Sequence, residues 1–408
     1  MKVLFYNHTG QVSGAERVLM TILNGLDREV YQPVVIAPPR SKMIELADSA
    51  RVKTRSLEQL EARFTWRIDK VIKYLGSFAN VIKRARTIVK DERPEFIHAN
   101  SIRAGLVMSA ATIGLEVPVI WHAHDILPRH PLSTLVRAFA LISSRNHILA
   151  VSHAVANAFR GIVLRPFQRR VQITVIHNAV DLDRFHPDPA AGNKMRRALN
   201  LTSAQPVVGI VGQLTPRKGQ LELIQSFARI VPEVPNAVLL IVGEALFNRD
   251  EEYARQLREA VDSLSLADHV RFLGPRDDIP KLLQALDVLV VNSHQEPFAL
   301  TVLEGLASGI AVLATAVGGT PEMIEHRRNG WLVRSGDEQE LARGLIKLLA
   351  DSDLRSGLGV AARKNASDRY SIGRYLAEIN ALYRGMPAEG QNPQQKNLPS
   401  FEVNLTLD

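Results

Sequence analysis

Short apolar runs that lack polar alternation recur along this chain, each followed by a longer stretch with helical spacing. MKVLFYN (1–7) leads into GAERVLMTILNGL and QPVVIAP; FIHAN, VPVIWHAHD, HILAVS and VQITVIHN follow before residue 180. A strand open to water on one face alternates apolar and polar residues, so runs that are apolar throughout belong to a parallel sheet covered on both faces by helices. That pattern predicts a doubly wound α/β domain over 1–185. The period is lost over 186–206, HPDPAAGNKMRRALNLTSAQP, whose Pro, Gly, Asn and Ser content reads as an interdomain linker. A second series then begins, VVGIVGQ, AVLLIVGE, VRFLG, LDVLVVNS and GIAVLATAV, and gives a second domain of the same kind over 207–365. Residues 366–385 read as a C-terminal helix crossing back to the first domain, and the polar, proline-broken 386–408 as a disordered tail. At 408 residues the chain is long enough for two cores. Ligands of such sheets bind outside the carboxyl ends of the strands, so the loops after these runs are where chemistry is expected.

Composition narrows the function. There is no cysteine, which excludes disulfides, thiolate metal sites and cysteine nucleophiles. No apolar run approaches the roughly 20 residues of a membrane span, and no leader signature opens the chain, so a cytoplasmic location is expected. The net charge of +8 is uneven: residues 1–190 hold 26 Lys+Arg against 16 Asp+Glu, and the remainder 24 against 26. Much of the excess lies in 51–90, where Trp66, Ile68, Val71, Ile72, Leu75, Phe78, Val81 and Ile82 recur near helical spacing among lysines and arginines. Two readings stay open. One is a surface helix with a solvated basic face; the other is a face for anionic phospholipid or a lipid-diphosphate substrate, placing the protein peripherally on the inner membrane surface. Nucleic acid is not an expected partner, because exposed aromatics other than Trp66 and Tyr74 are not interleaved with the basic residues.

Two loops carry chemistry. GQLTPRKGQLELI (212–224) follows a strand and places Arg217 and Lys218 just before a helix, where amide groups and cations together suit a diphosphate; the alternative is an exposed turn with two solvated cations. EPFALTVLEGLASG (296–309) sets Glu296 at the end of a strand and Glu304 inside the following helix, which is expected to start near Phe298 or Ala299. A carboxylate accepts two hydrogen bonds side by side and so suits the vicinal diols of a sugar nucleotide. The helix dipole alone also favours acids there, by about 0.3–1 kcal/mol. Neither glycine loop has the G-x-G-x-x-G spacing of a nicotinamide site.

The order of motifs adds more than any one of them. SGAERVL, HAN, PVIWHAHD, VIHNAVDLDRF, GQLTPRKG, VGE, FLG, NSHQEPFALTVLEGLASGIAVLATAVGGTPEMI and NGWLV succeed one another in a way that resembles glycosyltransferase family 4, over roughly 1–385. The resemblance implies the GT-B fold, two Rossmann-like domains facing a cleft, and a retaining transfer of sugar from a nucleoside-diphosphate sugar, a UDP-sugar being the expected donor. It implies a hydroxyl acceptor, saccharide or lipid-linked, in cell-surface polysaccharide or glycolipid synthesis, with neither cofactor nor metal. No Asp-x-Asp metal motif is expected to serve the donor. Carried over by position, Glu296 matches the glutamate that contacts the donor sugar, Glu304 the one that holds the ribose, and Lys218 the diphosphate-binding lysine. Gly14 matches a glycine whose amide approaches the diphosphate from the first domain, and His124 the histidine beside the reacting sugar. Phe298, Ala299 and Leu300 supply the helix-start amides, with Arg217 beside them. His122 reads as structural; His98, Asn100 and Ser101 read as lining the acceptor side. Three positions depart from the family pattern: Gln213 stands where arginine is usual, Ala299 where glycine is common, and Ser13 replaces the first of two glycines. Arg217 is expected to supply the contact missing at Gln213. Rival readings are another GT-B enzyme, such as an epimerase or phosphorylase, and a non-catalytic sugar-nucleotide-binding protein.

Overall fold

The computed structural model describes residues 1–59, 68–128, 130–141, 145–160, 172–246 and 248–386. Two parallel sheets are present. The first holds β1 (Lys2–Tyr6), β2 (Gln32–Ala37), β3 (Lys53–Ser56), β4 (Phe96–Ala99), β5 (Val119–Ala123), β6 (Asn146–Ala150) and β7 (Gln172–Val175), in the order β3-β2-β1-β4-β5-β6-β7. The second holds β8 (Val207–Val211), β9 (Val238–Val242), β10 (Val270–Gly274), β11 (Val288–Val291), β12 (Ala311–Thr315) and β13 (Trp331–Val333), in the order β10-β9-β8-β11-β12-β13. The central strands β1, β4, β5 and β6 are buried almost throughout, as apolar runs require when helices cover both faces. In each sheet the winding reverses beside the first strand, between β1 and β4 and between β8 and β11, and a crevice opens at the carboxyl ends there. The expected α/β architecture of two such domains is therefore observed.

The segment read as an interdomain linker contains a helix, Pro189–Ala198. Asp188 caps it through the Ala191 amide, Pro189 occupies the first turn and Arg196 and Arg197 close the last, a start and stop that outweigh the proline and glycine content. It packs on the second domain: Gly192 lies where a Cβ would meet the Gln284 carbonyl oxygen at 2.3 Å, and Met195 and Leu201 are buried. The last described helix, Ile372–Arg384, returns to the first sheet and buries Tyr375, Ile379 and Tyr383 beside Phe5, Tyr31 and Phe96. The tail expected to be disordered begins at Met386, and from 387 onward it lies outside the described residues.

The basic stretch falls partly outside them as well, at 60–67. Helix Ile68–Glu92 turns Val81, Ala85 and Val89 into the core, while several cations flanking or on it are bound to protein groups. Lys53 and Arg55 pair with the buried Glu92 at 2.8 and 2.6 Å, Arg84 pairs with Glu58, and Arg86 donates to the carbonyls of Ala111 and Ile113. No helix among the described residues is long and apolar enough to cross a membrane.

Candidate active site

The loops after β8 and β11 meet at the crevice of the second domain. Pro216–Lys218 forms a single tight turn that ends at Gly219, whose φ of 66° is left-handed and whose absent Cβ would lie 2.1 Å from the Asn292 carbonyl oxygen. Only glycine satisfies both conditions, and the close approach sets Lys218 over the end of β11. There Lys218 Nζ donates to Glu296 at 2.6 Å, Ser293 Oγ donates to the same carboxylate at 3.0 Å, and Arg217 stands 3.7 Å from it. Arg217 also donates to the Gln295 carbonyl at 3.0 Å and is nearly half exposed at the cleft edge. The backbone of Glu296 is fixed from behind by Gly318 and Gly319. The Gly319 amide bonds the Glu296 carbonyl at 2.9 Å, and Gly318 has φ 55° with no room for a Cβ against that same oxygen.

The helix begins at Leu300, one or two residues later than expected, with Ala299 as its N-cap. Ala299 has φ −72°, ordinary for any residue, and its methyl is buried in the core, so alanine neither strains the loop nor narrows the approach to the amides. The Phe298 side chain is likewise buried; its ring stacks on His177 at 5.0 Å, which leaves only its backbone to face a ligand. Glu304 lies one turn into the helix with Arg17 of the first domain 3.8 Å away. Burial raises its carboxyl from 4.5 to about 7, against the opposing pull of Arg17 and Arg184.

The first domain meets this helix head-on. Gly14 opens helix Gly14–Gly25, and a Cβ on it would sit 3.5 Å from Leu300 Cδ1. Ser13 and Glu16 form a capping box in which the buried Glu16 carboxylate takes the Ser13 amide at 2.8 Å and its hydroxyl at 2.6 Å. Ser13 is the N-cap before Gly14, and its hydroxyl adds a bond to Glu16 that a glycine would lack. The starts of two helices, one from each domain, thus lie close together, and such ends attract anions.

His124 sits at the end of β5. Its Nε2 lies 3.0 Å from Asn100 Oδ1, and the Asn100 amide nitrogen donates to Asn7 Oδ1 and to the Ala15 carbonyl. Because that nitrogen is committed as a donor, Asn100 Oδ1 accepts, and His124 carries its proton on Nε2 and leaves Nδ1 as an acceptor. Burial holds His124 down to about 3, so it is neutral. His98, Asn100 and Ser101, expected to line the acceptor side, are buried and engaged with protein groups. His98 bridges Tyr383 Oη at 2.8 Å and His122 Nδ1 at 3.0 Å, Asn100 holds His124, and Ser101 caps helix Ile102–Ala111 while bonding His8. His122 is wholly buried with its ring 4.0 Å from that of His124, in keeping with a structural part.

Sequence reasoning missed Asp125, which is open to the cleft water yet ringed by both domains. Burial raises its carboxyl, with Arg103 and Arg217 opposing and Glu16 and Glu296 reinforcing the shift. Its place directly after His124 in WHAHD was the available signal. Gln213, standing where arginine was expected, donates to Asp250 at 2.7 Å and so belongs to the scaffold of the loop.

The fold is that of the GT-B class. Residues 12–184 match the sequence model described as Glycosyltransferase Family 4 and residues 192–365 that described as Glycosyl transferases group 1; the chain belongs to glycosyltransferase family 4. It is 31% identical over 241 residues to the D-inositol 3-phosphate glycosyltransferase of Corynebacterium urealyticum, a match covering 58% of this chain and 56% of that one. The chain thus spans little more than half the length of that relative. It is 23% identical to the UDP-Gal:alpha-D-GlcNAc-diphosphoundecaprenol alpha-1,3-galactosyltransferase of Escherichia coli, over 90% of this chain and 95% of that one. Among solved structures, Anabaena HepE in complex with UDP-glucose superposes with a TM-score of 0.78 at 26% identity, covering 94% of this chain and 99% of that one. The epimerase, phosphorylase and non-catalytic readings draw no support from these relatives.

Proposed function

We propose that this protein transfers a sugar from a nucleoside diphosphate, UDP in the first instance, to a hydroxyl of a saccharide or lipid-linked acceptor, with retention at the anomeric carbon. The observation that carries the reading is the pairing of Lys218 with Glu296, at 2.6 Å, in the loops where the helix starts at Gly14 and Leu300 lie in contact. Lys218, Arg217 and the amides of residues 298–300 would stabilise the departing diphosphate; Glu296 would hold the hydroxyls of the sugar and Glu304 the ribose diol. The anomeric bond to the diphosphate breaks, the acceptor oxygen bonds to the same face, and the hydroxyl proton passes to a phosphate oxygen. His124, neutral and protonated on Nε2, offers Nδ1 to a sugar hydroxyl as an acceptor and so aligns the reacting ring. Lys218 would exchange its bond to Glu296 for the diphosphate as the donor enters.

UDP-sugars, and a lipid-linked acceptor of the kind named for the Escherichia coli relative, are the first substrates to assay. Acceptor-dependent release of UDP from wild type, with Lys218→Ala slowed at least 10²-fold and Glu304→Ala weakened in donor binding, is the expected result. Normal turnover in both variants would overturn the site assignment. The reaction is proposed to run without a metal ion, the cations Lys218 and Arg217 standing in for one. Full turnover in excess chelator is expected, and loss restored by magnesium or manganese would count against it. Peripheral attachment to anionic membrane through the 51–90 surface is a further part of the proposal, supported by the basic excess of that stretch. Sedimentation with anionic but not neutral vesicles at low salt is expected; equal sedimentation removes it.

A further inference from the structure

Beyond the donor cleft, the two domains share a second polar cluster on the seam near the crossing chain. His153 opens helix His153–Arg160 of the first domain, His177 follows β7, and Glu322 lies in the short helix Thr320–Met323 of the second domain. One Glu322 oxygen accepts the His153 amide at 2.8 Å and His177 Nε2 at 2.9 Å; the other accepts the Ala154 amide at 2.9 Å. Tyr370 Oη holds the Glu322 carbonyl at 2.9 Å. Among the described residues, the imidazoles of His153 and His177 and this carboxylate form one group whose ligating atoms all lie within 4.8 Å of one another.

We propose that His153, His177 and Glu322 form a binding site for a divalent cation of the zinc class, which would tie the two domains together. Two imidazoles and one carboxylate suit zinc, cobalt(II) or nickel; magnesium and calcium demand more oxygen ligands than are present. The cation would replace the proton shared by His177 Nε2 and Glu322. Ligands at zinc distances in a tetrahedral site are about 3.4 Å apart, so the present 2.9 Å contact must widen by about half an ångström. The two helix amides keep the carboxylate oriented while this happens, as outer partners of a metal ligand do. His153 is exposed and completes the set by a side-chain rotation, and the fourth position is left for water. The site also touches the donor loop, because the His177 ring lies flat on Phe298, two residues before the helix start at Leu300. The proposal is independent of the transfer reaction, which needs none of these three side chains.

The test uses the full chain stripped of metal by chelator and dialysis. Micromolar zinc is expected to raise Tm by a few degrees, millimolar magnesium or manganese to leave it unchanged, and cobalt(II) to give the visible bands of a tetrahedral complex. His153→Ala keeps the amide that bonds Glu322, so its metal-free Tm should match wild type, while its zinc affinity falls at least tenfold and the cobalt bands disappear. His177→Gln should lose the same signals. Equal zinc stabilisation of wild type and His153→Ala, no zinc effect on either, or magnesium acting as well as zinc would each overturn the site. Loss of turnover to chelator restored by magnesium would bear on the transfer chemistry and not on this site, so the two proposals fail separately.

Discussion

Burial raises the Glu304 carboxyl to about 7, so its charge changes near neutral pH. Its raised value means that between 4.5 and about 7 the folded chain holds a proton the unfolded chain has lost, so this group's contribution to stability falls as pH rises through that window. Under the proposed ribose role of Glu304, nucleotide binding is expected to run the other way, since a diol would donate to the ionised carboxylate. Affinity for UDP is expected to rise about tenfold from pH 6 to pH 8, with proton release detectable by calorimetry in buffers of different ionisation enthalpy, and Glu304→Gln should flatten the dependence. A flat profile in wild type would remove Glu304 from the ribose site. His124 gives a complementary expectation: held down to about 3, it stays neutral across the working range and should add no limb to the profile of turnover. Glu296, Glu304 and Lys218 could be placed at a strand end or helix start from the sequence, but their expected roles, and Gly14 altogether, came from the resemblance to family 4. The tautomer of His124 could not be read from the sequence, because it depends on Asn100 after β4, Asn7 after β1 and the Ala15 carbonyl in the first turn of helix Gly14–Gly25.

At the scale of elements, the turn Pro216–Lys218 places the cation, and Gly219 makes the turn possible. Gly219→Ala would need both a left-handed alanine and a shift of the Asn292 backbone, since its Cβ would lie 2.1 Å from that carbonyl oxygen. The substitution is expected to cost more than about 1 kcal/mol and to move Lys218 off Glu296, so turnover should fall at least tenfold with a smaller loss in donor binding. Wild-type turnover in a folded variant would show that Lys218 does not depend on this turn. The strands were readable because apolar runs report burial on both faces, which is a property of each segment by itself. The helix Pro189–Ala198 was misread because Pro, Gly and Asn there were weighed as loop residues. Asp188 followed by Pro189 is a helix start, and the apolar Met195 and Leu201 that seat it are too sparse to give a period.

The whole molecule is held together by the return of the chain to its first domain, expected over 366–385 and seen as the helix Ile372–Arg384. The helix Ile372–Arg384 comes after the second domain in sequence yet completes the core of the first, where Tyr383 lies 4.9 Å from Phe96, 5.8 Å from Tyr31 and 6.5 Å from Phe5, ring to ring. Its hydroxyl meets His98, at the far end of the histidine pair whose other ring packs on His124. The first domain alone would therefore expose the apolar floor beneath His124. A fragment ending at residue 185 is expected to lack a cooperative thermal transition, and joining residues 366–386 to it through a flexible linker should restore one. In the full chain, Tyr383→Ala should destabilise by about 3–5 kcal/mol through the cavity it leaves. Tyr383→Phe keeps the ring and should cost about 1–3 kcal/mol by leaving His98 Nδ1 unpaired in the core. If the 1–185 fragment unfolds cooperatively without the helix, the two domains are separate folding units and the crossing helix is only a strap. If it does not, the last helix is part of the first domain, and the relative placement of the two domains is fixed by the same residues that support His124.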